Sequence, residues 1–127
     1  MMIETLNLIR QGMEEMGLEY EFGTYNGNPV KYPYWVGEYQ EFEAITEDGL
    51  HESTFVLNGF SRDAWMTLEL AKAKIENYFG RVSGKTAIVS NGSGVAVFYS
   101  DAMIVPTGDA ELKRMQINLN VKEWKVN

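Results

Sequence analysis

The chain has no cysteine among its 127 residues. That excludes disulfides and thiolate metal sites and leaves the redox compartment open. Histidine occurs once, at His51, so a zinc site built from several His or Cys ligands cannot be assembled. No apolar run approaches the ~20 residues that span a bilayer. The N-terminal stretch MMIETLNLIRQGMEEMG carries acids and lacks a basic start and a small-residue cleavage site, so it reads as part of the fold rather than a secretory signal. No membrane partner is expected, and the protein is expected to be intracellular when made.

Positive charge is scarce. Eleven Lys and Arg face eighteen Asp and Glu, a net charge of −7, and the bases are dispersed, with no cluster larger than Lys113-Arg114. Nucleic-acid affinity comes mostly from Lys and Arg displacing counterions, so sequence-specific DNA or RNA binding is not expected. A basic protein partner, or a surface that DNA slides past, suits this charge better.

What is present is ordinary globular composition: 45% hydrophobic, 23% charged and 13% aromatic residues. No low-complexity tract or linker divides the chain, and one domain over residues 1–127 is expected. Met2, Leu6, Ile9, Met13 and Met16 recur at spacings of three and four, which predicts a helix over Met2–Met16 ending at Gly17. LEYEFGTY alternates as a half-buried strand, and NGNP breaks it. Strands are predicted from Tyr34 to about Thr46 and from His51 to Phe60, joined through Asp48-Gly49 as one long β-hairpin. Pro33 marks a strand entrance. Ser61 is read as the N-cap of a second helix, Arg62–Phe79, with Trp65, Leu68, Ala71, Ile75 and Phe79 on its buried face. TAIVS and GVAVFYS form another hairpin around NGSG, and Met115, Ile117, Leu119 and Val121 alternate in a last strand. This order predicts an α+β fold, a mainly antiparallel sheet with both helices packed on one face.

Catalytic readings are weak. His51 and Ser53 lie two apart on one strand, without a nucleophile elbow or oxyanion hole, and His51 reads as a solvated residue of an exposed hairpin end. SNGSGVA leads into a strand, whereas a phosphate cradle leads into a helix. Glu19/Glu21 and Glu41/Glu43 could each aim two carboxylates to one face, but they match no acidic-loop motif. No enzyme, cofactor or metal is expected. Glu47, Asp48, Gly49, His51 and Glu52 are instead the candidate interaction residues, because a long two-stranded ribbon ending in acids needs a neighbour to cover it.

The N-terminal helix followed by YEFGTYNGNP, YPYWVGEY, TFVLNGFSR and DAWMTLE resembles the tail terminator and head–tail joining proteins of long-tailed bacteriophages. The likeness runs over most of the chain. It implies a non-enzymatic structural protein that self-associates into a ring, for instance a hexamer, at the end of the tail tube. Other tail or head-connector proteins would be its partners, and the virion tail its location after synthesis in the host bacterial cytoplasm. The alternative is a small acidic binding module, such as an immunity protein neutralising a basic toxin.

Overall fold

The computed structural model of the protein describes residues 1–41, 49–89 and 91–126. Helix α1 spans Ile3–Glu15 and buries Thr5, Ile9, Gly12 and Met13; of the predicted stripe Ile9 and Met13 are fully buried, while Met2, Leu6 and Met16 are partly buried against the core. Gly12 is required there. A Cβ on it would lie 2.6 Å from the Tyr78 ring, closer than side-chain atoms approach. Strands β1 (Glu19–Phe22), β2 (Tyr34–Glu41) and β3 (Leu50–Ser61) follow, then helix α2 (Trp65–Phe79) and strands β4 (Lys85–Ile88), β5 (Gly94–Val105) and β6 (Lys113–Trp124).

The strands form one six-stranded sheet in the order β1-β2-β3-β6-β5-β4. It is mixed, because β1 pairs with β2 in parallel while the other four pairings are antiparallel. The irregular connection over residues 23–33 returns the chain to the starting end of β1, so β2 runs alongside it. Both helices pack on one face. Ile9 and Met13 of α1, and Leu68, Ala71, Ile75 and Phe79 of α2, meet Trp35, Phe55, Leu57, Ile117, Leu119 and Val121 from the sheet. Burying each large aliphatic side chain contributes roughly 1.5–3 kcal/mol.

Three local expectations are corrected. Trp65 begins α2 but is 37% exposed, because it lies before the turn on which Leu68 first reaches the core. Ser61 is still paired in β3 with Lys113. Its Oγ accepts the Asp63 N–H at 3.0 Å, Asp63 Oδ1 accepts the Ala64 N–H at 2.9 Å, and the N-cap position falls to Ala64 without a side-chain bond. The β2–β3 hairpin is also not an unsupported ribbon. β6 pairs with β3 from Leu50 to Ser61, so the strand read as half of a projecting arm is central to the sheet.

One buried group stands out. Along β6, Met115, Ile117, Leu119, Val121 and Glu123 are all buried, Glu123 at 1% exposure. Its carboxylate accepts the Met2 N–H at 2.8 Å and the Thr5 hydroxyl, so a residue at the far end of the chain caps α1. At a helix N-terminus the free amides and the dipole both favour a negative group. Glu123→Ala would leave the Thr5 hydroxyl and the Met2 amide without this acceptor, at an expected cost of ~1–3 kcal/mol. Glu123→Gln keeps an acceptor and should cost less. Urea denaturation of both variants checks this; equal losses would remove the capping role.

Candidate functional site

The helix-free face of the sheet is the other surface the fold presents. Along β2 it carries Tyr34, Val36 and Glu38, which pair across β3 with Phe60, Asn58 and Val56. β6 continues these rows with Arg114, Gln116 and Asn118. The aromatics of KYPYWVGEY therefore divide between two environments. Trp35 is fully buried under the helices, its ring filling the space over Gly59. Tyr34 lies on the open face, stacked on Tyr25 at 4.0 Å between ring centres and on Phe60 at 5.1 Å, with Tyr32 tilted beside it at 5.6 Å.

Arginines extend this aromatic row. The Arg114 guanidinium stands 5.7 Å from the centre of the Phe60 ring and donates to Asn58 Oδ1 at 2.8 and 3.3 Å. Asn58 in turn donates to Glu38 at 3.4 Å. Arg62 donates to the Tyr32 hydroxyl and to Asp109, each at 3.3 Å. Burial, and then the neighbouring phenols of Tyr32 and Tyr25, hold the Tyr34 phenol above its ordinary range. The Glu111 backbone N–H, more than the Arg62 guanidinium, holds Asp109 below the usual carboxylate range. A shallow depression of about 360 Å³ opens between Tyr25, Tyr34, Glu38, Asn58 and Arg114. Flat rings and fixed guanidinium groups of this kind suit protein contacts.

Of the sequence-predicted interaction residues, Gly49 lies just before β3 and His51 and Glu52 lie at its start. Glu47 and Asp48 lie outside the described residues. Gly49 has a positive φ of 81°, and its carbonyl accepts the Lys125 N–H at 3.4 Å. Glu52 is exposed, its carboxylate 3.8 Å from Lys122 Nζ. His51 is not a solvated turn residue. It belongs to β3, is half-buried, and sits opposite Glu123 in the β3–β6 register. Ser53 shares its face and is buried.

The acidic pairs form no described metal or catalytic site. Glu19 and Glu21 lie on β1, Glu21 accepting the Asn26 N–H. Glu41 pairs with the Met1 ammonium, and Glu43 lies outside the described residues. Among the described residues no group of three His, Asp or Glu side chains is placed to hold a metal ion. In SNGSGVA, Asn91 Oδ1 accepts the Ser93 N–H at 2.9 Å and closes a turn into β5. Sequence reasoning missed the Tyr25–Tyr34–Phe60 stack. Its signal was present in YNGNP and NGF, but the pairing of β2 with β3 was needed to bring those aromatics together.

The placement of His51 changes the expected effect of removing it. A solvated turn histidine would leave stability within about 0.5 kcal/mol of the parent on truncation, whereas a half-buried strand residue gives a loss nearer ~1 kcal/mol. Thermal or urea denaturation of His51→Ala distinguishes the two.

No family model matches the sequence, and no curated protein matches it. Among solved structures the chain is similar to one from the "Virion of native gene transfer agent (GTA) particle", with a TM-score of 0.65 over 90% of this chain and 84% of that one. The two are 11% identical, and the likeness is one of fold.

Proposed function

We propose that this protein is a non-enzymatic structural subunit of a phage-type particle, of the tail terminator or head–tail joining kind, closing into a ring at the end of the tail tube. The observation that carries this reading is the fold likeness to a chain of an assembled virion over 90% of the present chain. The sequence resemblance to tail terminator and joining proteins supports the same assignment. The net charge of −7 suits a ring whose lumen passes DNA with little adhesion. The open sheet face, with Tyr34, Phe60 and Arg114, and the hairpin end near Gly49 and Glu52 are assigned to contacts with neighbouring tail or head-connector proteins.

The test is the solution mass of the purified chain. Light scattering coupled to gel filtration, at concentrations up to the millimolar range, should reveal a closed oligomer, and negative-stain images should show rings. A strict monomer that instead captures a basic protein with one-to-one stoichiometry would favour the immunity-type alternative and overturn the ring.

A further inference from the structure

The sheet ends in two unequal edges. β4 pairs only with Gly94–Val97 of β5. The upper part of β5, Ala102–Val105, has β6 on one side and, among the described residues, no strand on the other. Met103 and Ile104 are 54% and 58% exposed there. An apolar strand edge with unpaired backbone groups is a template for a further strand. At the opposite edge stands β1, only four residues long, and among the described residues its outer side is also free of a strand.

The two edges match in height, length, direction and face. Glu19 pairs with Tyr34, and that row continues through Phe60 and Arg114 to Val105; Phe22 pairs with Gly37, and that row continues through Leu57 and Ile117 to Ala102. The uncovered segment of β5 therefore lies level with β1. Three antiparallel pairings separate β2 from β5, so β1, parallel to β2, runs against β5. A second copy shifted sideways in the plane of the sheet would set its β1 antiparallel to β5, the favoured pairing. Tyr20 would then face Ile104, and Glu21 would face Met103.

The side chains agree as well. Tyr20 and Phe22 are on the helix-covered face in the rows of Trp35 and Gly37, and Ile104 is on that face in the row of Met115, beside the hollow it lines with Trp65. Glu19 and Glu21 are on the open face, in the rows of Tyr34 and Val36, and would lie opposite Val105 and Met103 of the next copy. On the helix-covered face aromatics would meet apolar groups, Tyr20 against Ile104 and Phe22 against Ala102.

We infer that copies of this chain join edge to edge, β1 of one copy completing the sheet of the next beside Ala102–Val105. The inference rests on the ring reading above, and it supplies the two different, complementary patches that a head-to-tail ring requires. The absence of native cysteine permits a clean test with Glu21→Cys and Met103→Cys combined in one chain. Within a chain these positions are four strand spacings apart, about 19 Å, so bridging them takes two copies. Across the proposed contact their Cα atoms would be about 4.5–5.5 Å apart, within reach of a disulfide.

Mild oxidation of the double variant should give a ladder of covalent multimers on non-reducing gels, with neither single variant doing so. Multimers from Met103→Cys alone would show a two-fold β5–β5 contact and overturn the proposal. So would failure of the double variant to cross-link while the parent is oligomeric, which would leave the ring reading standing on another surface. A monomeric parent would overturn both. Ile104→Lys provides a second measure at an exposed position: the chain should remain folded by circular dichroism and lose its oligomer, and an unchanged mass would count against the edge contact.

Discussion

The register of β6 is the constraint on which the helix-covered half of the molecule depends. Every second side chain from Met115 to Glu123 is buried, and the strand is paired along its length with β3 on one side and β5 on the other. A slip of one residue would exchange this row for Gln116, Asn118, Asn120 and Lys122 and put four polar groups into the core. Glu123 ends the row, where α1 begins. By accepting the Met2 amide and the Thr5 hydroxyl, it ties the start of the chain to its last strand. The position of α1 then carries β1 with it through the short turn at Gly17, so one carboxylate helps to set the sheet edge at which β1 lies.

Much of this was legible because it is periodic. The three-and-four spacing of α1, the Leu68–Ala71–Ile75–Phe79 face of α2 and the alternation of β6 each follow from local geometry; the last two are buried as expected, and in α1 Ile9 and Met13 are fully buried while Met2, Leu6 and Met16 are partly so. The misreadings share a different cause. Ser61 and Trp65 were assigned by local helix rules, yet β3 continues to Ser61 because Lys113 is there to pair with it. Glu123 continues an apolar alternation as an acid, and only the distant Thr5 and Met2 give that position meaning. His51 was placed in solvent on the strength of the nearby turn, but β6 lies alongside it. Contacts between residues fifty or more positions apart leave no local pattern to read.

The candidate surface shows the same division. Pro33 correctly signalled a strand entrance, since β2 begins at Tyr34. Pleating then sends Trp35 and Tyr34 to opposite faces. Trp35 occupies the space over Gly59, where a Cβ would meet its ring at 2.6 Å, so the core accepts the indole only because its partner has no side chain. Tyr34 is the one that joins the aromatic stack on the open face. A single aromatic cluster in the sequence thus does two jobs, anchoring β2 to the core and presenting rings outward.

The uncovered edge of β5 follows from how α2 leaves the sheet. Gly80, at a φ of 75°, turns the chain down against β5, where its carbonyl accepts the Tyr99 N–H at 2.8 Å. Arg81 then donates to the Ser100 carbonyl at 2.9 Å. These bonds occupy the outer side of β5 where the β5–β6 register shifts, between Tyr99 and Asp101. β4 can therefore begin only below that point, at Lys85 opposite Val97. Among the described residues no strand pairs with the outer side of Ala102–Val105, and the chain continues through β5 into β6 on the other side. The vacancy is a product of the connection itself, and β1 at the far edge matches it in length, level and direction.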